Sequence, residues 1–479
     1  MRRLLILLVC LCITFAAVGC DAASTTATDT TTATLPSSST TSATQSSTTA
    51  STTQSSATTS SATIVTTTSP DVFSLAQVQA DFDELVEVSA VNPKLFTDVD
   101  EFAAVVATQR ALLRDGMTIL EFYRVVAPVA AALRCGHTIV QAPGDAVAQF
   151  FESDLDYPIR IMIAAERLFV VASRDPDGIA VGDEILSIDG LPSAAATGAM
   201  MRFIPSDGDN ETLKLRALGT DYLAYYLLFL ADDDTLELTY RAADDGLVRT
   251  TVIERNVPRI GGWTPLPPVE AVYAGAHAVL TVREFNLYGT YTLAYWESFF
   301  ETFFIRLEND GIRNLILDLR GNGGGDPRVA SCLFSHLART SQPYFRADAP
   351  RYYTGLNDPV PLAEPHYDGA LYVLIDGFCF STCGHFAALM AFQDVGLFIG
   401  EETGGSFVCS DNSTVATLPL TKLRFRTSRT VWAVAVEGLA FGRGVFPDIA
   451  VSPTFEDVVA GRDAVMERAL GLIEAGGAS

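Results

Sequence analysis

In "GFCFSTCGHFAALM", Gly377 to Met390, Ser381 and His385 stand four residues apart, with Cys379 and Cys383 flanking the serine. A hydroxyl and an imidazole are the minimum equipment for nucleophilic acyl transfer. The stretch follows "LYVLID", an apolar run ending at Asp376, so Ser381 falls where a strand turns into a helix. A serine there is exposed, and the helix dipole favours an anion developing beside it. The same residue also suits an ordinary N-cap, a role that contributes about 1 kcal/mol. The stretch alone leaves both readings open.

A second stretch, "NLILDLRGNGGG", Asn314 to Gly325, runs an apolar strand into a loop with four glycines and an asparagine. Glycines let backbone N–H groups face a substrate without Cβ obstruction, as an oxyanion hole requires. A structural turn would use the same composition, whereas a phosphate-binding loop would need a following Lys-Ser/Thr that is absent here. A serine nucleophile needs a base, and the chain offers five histidines: 137, 277, 336, 366 and 385. Side chains on one helix lean toward its N-terminus, so His385 at i+4 leaves little room for a carbonyl beside Ser381 and reads as a packed or capping residue. His137, in "CGHTIV", lies instead at the edge between two segments of different pattern, where a cleft forms readily.

Three kinds of element must position these groups. From Asp71 to Leu133, apolar residues recur at three and four with breaks at Pro93 and Gly116, which predicts a small helical domain over 70–150. Residues 151–260 are rich in β-runs, including "VGDEILSIDG" with a turn at Asp189-Gly190, and predict a β-rich domain. From 268 to 475, continuous apolar strands alternate with helical segments, the pattern of a sheet covered on both faces.

The front of the chain is of another kind. Arg2 and Arg3 precede an apolar run to Val18, which predicts a secretory signal over 1–19. Its "AVGC" ending resembles a bacterial lipobox, which implies acylation of Cys20 and a lipid anchor in a membrane. Residues 20–69 are almost wholly Thr, Ser and Ala and predict a disordered stalk. A net charge of −25 argues against nucleic acid as a partner and for an extracytoplasmic body. No cysteine pair has zinc-site spacing with histidines, and neither a metal nor an organic cofactor is indicated.

Taken in order, "CGHT", "VGDEILSIDG", "IPSDGDNET", "LILDLRGNGGG", "LIDGFCFSTCGHFA", "IGEETGG" and "GVFPDIAVSPTFEDVVAGRD" closely resemble the tricorn and C-terminal processing peptidase family of serine peptidases. The resemblance covers nearly the whole body. It implies an α/β catalytic domain of the crotonase/ClpP-like type and a PDZ-like character for residues 151–260. It also implies a peptide or protein substrate, Ser381 as nucleophile, and the N–H groups of Gly324 and Thr382 as the oxyanion hole. The family divides between a Ser-Lys dyad and a tricorn-like Ser-His-Glu branch. Here "GEETGGS" puts Ser406 in the lysine slot, and Lys94, Lys214 and Lys422 match no motif. The resemblance therefore implies the tricorn-like branch, with His137 as general base and Glu437 as the acid that orients it. More residues separate Glu437 from Gly444 than the branch pattern has, so Glu402 is the alternative. Cys379, Cys383 and Gly384 also depart from the family pattern. The expectation is a membrane-anchored serine endopeptidase; the alternative is a non-catalytic peptide- or ligand-binding lipoprotein on a degenerate peptidase scaffold.

Overall fold

The computed structural model describes residues 72–151, 153–175, 178–259 and 266–476. The signal, Cys20 and the stalk lie outside the described residues. Among the described residues no helix is long and apolar enough to cross a membrane.

The first helices of the described residues are α1 (Leu75–Val88), α2 (Val99–Arg110) and α3 (Ile119–Ala131). Capping boxes at Ser74/Gln77 and Thr118/Glu121 start α1 and α3, and the breaks fall at the segments of Pro93 and Gly116. Beyond them, β1 (Ile159–Ala164), β2 (Arg167–Ser173) and β3 (Glu184–Ile188) lead through the turn at Asp189-Gly190, where both residues have positive φ. Three helices follow: α4 (Ser193–Met201), α5 (Thr212–Leu218) and α6 (Tyr222–Phe229). Then β4 (Leu236–Arg241) and β5 (Val248–Ile253) complete a sheet in the order β5-β4-β3-β2-β1.

Every residue of α6 is buried, and the apolar core runs unbroken from α1 and α3 through α6 into the sheet. The helices within residues 193–229 add to the β-rich character expected there. A helix apolar on all sides carries no amphipathic period, so composition alone does not separate it from buried strand.

The third part holds β6 (Val269–Ala274), β7 (His277–Val282), α7 (Leu293–Asn309), β8 (Asn314–Asp318), α8 (Pro327–Leu337), β9 (Ala370–Ile375), α9 (Thr382–Phe392) and β10 (Leu397–Gly400). Four short strands follow, β11 (Val408–Asp411), β12 (Thr414–Thr417), β13 (Arg424–Thr427) and β14 (Thr430–Ala433). The chain ends with β15 (Ile449–Ala450), α10 (Phe455–Ala460) and α11 (Ala464–Glu474). The main sheet runs β6-β7-β8-β9-β10-β15, antiparallel at β6/β7 and parallel elsewhere. One apolar core lies between this sheet and α7, α8 and α9; a smaller one lies under α11. The buried runs of β8 and β9 are the strands expected of a covered parallel sheet.

One pairing crosses between the parts. Ile139 and Val140, just after His137, add an antiparallel strand to β13, with Val140 opposite Phe425 and Ile139 opposite Arg426. This seam joins the helical end of the chain to β12 and β13 in a small three-stranded sheet separate from the main one.

Candidate active site

Ser381 stands at the N-terminus of α9 with φ 55° and ψ −124° and caps no helix N–H with its side chain. Such backbone costs a non-glycine residue about 1–3 kcal/mol and persists only where the surroundings impose it. Asp376, at the end of β9, imposes part of it by accepting from the N–H groups of Gly321 (3.0 Å) and Phe378 (2.9 Å) while pairing with Arg216 (2.8 Å). The Phe380 N–H donates to the Asn322 carbonyl at 3.0 Å. Behind the turn, Gly384 and Gly405 meet backbone to backbone. A Cβ on Gly405 would stand 2.9 Å from Ser381 N, and one on Gly384 would stand 2.6 Å from Gly405 Cα. This contact leaves no room for a side chain at 384.

The glycine loop lies against the same turn. Gly324, at φ +102°, has no room for a side chain, because its Cβ would lie 2.8 Å from both Ser381 Cβ and Thr382 N. Its N–H does not face a substrate position: it donates to Asn322 Oδ1 at 2.8 Å. Asn322 is wholly buried and its own amide donates to the Val282 carbonyl, so the expected donor at Gly324 is engaged by a fixed acceptor. Thr382 N begins α9, and the Thr382 hydroxyl donates to the Gly325 carbonyl at 2.6 Å.

His137 arrives on the seam. Thr138 Oγ1 accepts from Asn92 Nδ2 (2.9 Å) and Ser428 N (3.2 Å), fixing the backbone one residue on. Gly136 clears the Phe380 ring, which a Cβ there would approach to 2.5 Å, and the imidazole packs on that ring with centroids 4.8 Å apart. The result places His137 Nε2 2.9 Å from Ser381 Oγ, across 244 residues of sequence. His137 is 8% exposed. Burial pulls its pKa below the usual imidazole value, a shift that Asp411 opposes.

The expected acids are elsewhere. Glu437 is exposed in a surface cleft with Arg346, Asp348 and Phe392, at the far end of α9 from Ser381. Backbone bonds from Val434 to Phe407 and from Ala435 to Tyr344 tether the chain leading into it to that edge. This corrects the assignment of Glu437 beside His137. Glu402 is buried and spent: it accepts from Arg443 Nε (2.9 Å), Gly444 N (2.8 Å) and Asn210 Nδ2 (3.3 Å).

Two other carboxyls surround His137. Asp411, at the end of β11, approaches Nε2 to 3.9 Å and is one-third exposed. Burial pushes its carboxyl up, but His137, Arg426 and Ser413 outweigh that and hold it below the ordinary aspartate value. Asp207, in "IPSDGDNET", is 2% exposed and accepts the Gly136 N–H at 2.8 Å through Oδ1. Burial raises its pKa to about 7. The sequence offered no signal for Asp411. For Asp207 it offered a quoted motif with no role attached.

Cys135 Sγ, a His137 ring nitrogen and an Asp207 oxygen lie within 4.8 Å of one another, three donors of types that hold zinc. Burial lifts the Cys135 thiol to about 11 and Asp207 to about 7, so an entering cation would displace both protons. The cysteines at 135, 332, 379, 383 and 409 are all unpaired. His385 is buried edge-on to Phe345, and burial together with neighbouring His137 drives its pKa down to about 3. It is a packed neutral ring. The three lysines lie away from Ser381: Lys94 over Phe102, Lys422 on the Pro419 carbonyl, Lys214 near Glu211.

Residues 277–451 match the model of peptidase family S41. No curated protein matches the chain. Among solved structures, mature CPAF aligns with a TM-score of 0.57 at 15% identity, covering 83% of this chain and 97% of that one. Mature CPAF complexed with lactacystin aligns with a TM-score of 0.56 at 15% identity, covering 84% and 98%. The tricorn protease aligns at 14% identity and a TM-score of 0.39, over 83% of this chain and 37% of that one. At these identities the likeness to the CPAF structures is one of fold.

Proposed function

We propose that this chain, a serine-type peptidase whose residues 277–451 match the model of peptidase family S41, is an endopeptidase acting on peptides or proteins through an acyl-enzyme on Ser381. The observation that carries this reading is the 2.9 Å contact between His137 Nε2 and Ser381 Oγ in a turn whose strain exposes the hydroxyl.

His137 takes the hydroxyl proton as Oγ attacks the scissile carbonyl, then returns it to the leaving amine. Water repeats the cycle on the ester. The Thr382 N–H, at the helix N-terminus, is oriented by the α9 dipole to stabilise the oxyanion. Gly324 N–H joins it once that amide exchanges Asn322 Oδ1 for substrate. Asp411, near Nε2, offsets the imidazolium charge. In this reading the catalytic domain is of the crotonase/ClpP-like type. The β-rich domain is PDZ-like and captures peptide by strand addition. A lipid on Cys20 anchors the body outside the cytoplasm.

A fluorophosphonate probe tests the chemistry. Ser381→Ala should abolish labelling and reduce hydrolysis of labelled casein by on the order of 10⁴ or more, and His137→Ala should be similarly damaging. Labelling that survives either change removes that residue from the mechanism. A wild-type chain that neither labels nor hydrolyses casein supports the binding lipoprotein instead.

A further inference from the structure

A base that takes its proton at Nε2 works only if the hydrogen of the neutral ring sits on Nδ1, and something must hold it there. Nε2 is committed to Ser381 Oγ. Nδ1 of His137 is buried outside hydrogen-bond geometry, although the Ser410 carbonyl lies beside the ring, and Oδ2 of Asp207 is buried without a hydrogen-bond partner. A ring nitrogen of His137 and a carboxylate oxygen of Asp207 lie within 4.8 Å of each other, a separation that a small rotation or one water closes. Glu437 and Glu402, the acids expected from sequence, are unable to serve, and Asp411 approaches the Nε2 side.

We propose that Asp207 is the positioning residue of this site, its Oδ2 accepting the His137 Nδ1–H and thereby selecting the ring tautomer that activates Ser381. The proposal rests on the Ser381–His137 reading above and deepens it. Oδ1 is already fixed by the Gly136 N–H, one residue from His137, so the carboxyl and the imidazole hang from the same short segment. The charged and titratable groups around Asp207 are Cys135 and His137 on that segment and Cys409 and Asp411 on β11. Arg426 of β13 holds Asp411, Arg134 is paired with Asp209, and neutral His385 lies on α9.

With Asp207 accepting from Nδ1–H, the ring hydrogen stays on Nδ1 and the Nε2 lone pair faces the Ser381 hydroxyl.

Asp207→Asn separates positioning from structure. The amide oxygen still accepts from Gly136 N–H, which turns the NH₂ toward Nδ1 and holds the inactive tautomer at every pH. The expected result, with full-length protein and a fluorophosphonate probe, is a labelling rate lower by on the order of 10³ at every pH from about 5 to 9, an unchanged melting temperature and loss of the far-downfield imidazole proton resonance of the wild type. A rate within threefold of wild type overturns the proposal. Should Asp207→Asn not fold, the wild-type protein decides by proton NMR. A far-downfield imidazole resonance, absent in His137→Ala, must be present in the wild type, and its absence at all pH values overturns the proposal. Labelling that ignores Ser381→Ala or His137→Ala defeats the underlying reading. Labelling that needs both but is indifferent to Asp207→Asn defeats only this inference.

Discussion

The turn carrying Ser381 is braced from within its own domain, by Asp376, Asn322 and the Gly384–Gly405 contact. The segment carrying His137 hangs on a two-residue pairing with β13 and on hydrogen bonds to Asn92 and Ser428. The first region stores strain, and the second has little regular structure of its own. A nucleophile needs one fixed backbone geometry, which dense glycine packing supplies. A base needs only its ring in place, so a short seam and a neighbouring carboxyl suffice. His385 and His137, both buried, make the same point. His385 lies in the braced helix and is held neutral with no route to the hydroxyl, while His137 on the looser segment has the contact.

The largest blow to this division of labour comes from the braced side. Gly405→Ala puts a Cβ 2.9 Å from Ser381 N, and a displacement of this order costs about 10²-fold in rate. Casein hydrolysis should fall accordingly, with His137 untouched. A wild-type rate would mean that the strain at Ser381 is held by something else.

On the other side, Asp411→Asn should lower kcat by roughly tenfold, the loss of one nearby charge. Its carboxylate raises the His137 pKa, so its removal should move the acid limb of kcat/KM that belongs to His137 to lower pH. A shift to higher pH would show that Asp411 does not act on the ring as a charge.

His385→Gln should leave probe labelling within a fewfold of wild type yet change acid stability. A ring with folded pKa about 3 and unfolded pKa about 6.5 binds its proton only on unfolding between those values. It therefore weakens the fold as pH falls through that window. Urea midpoints of the glutamine variant should decline less from pH 6.5 toward 4. The smallest effect belongs to Glu437→Gln, exposed and away from His137, which should leave kcat/KM within about twofold, as surface changes do.

Much of the braced region was legible in the sequence, because it is local. "LYVLID" reads as strand, the following residues as helix, and the glycines mark where backbones touch. The three opening helices announce themselves through caps and period. The helices at 193–229 did not, since α6 is apolar on every side and its neighbours are short. Within the site, Ser381 and His137 came from motifs. The acid did not, because Glu437 and Glu402 were placed by position along the chain, and distance along the chain says nothing about which carboxyl reaches a ring held by another domain.

The sequence by itself determined the elements and the chemical inventory: a serine at a strand-to-helix turn, a glycine loop beside it, and few histidines to choose from. Folding decided the partnerships. His137 meets Ser381 only because Ile139 and Val140 pair with β13. Asp411 and Asp207 surround the ring because β11 and the α4–α5 loop end there, and Asn322 holds the Gly324 amide because both lie in one tight turn. Local patterns fix backbone conformation, whereas a hydrogen bond between residues hundreds of positions apart depends on packing that no single stretch encodes.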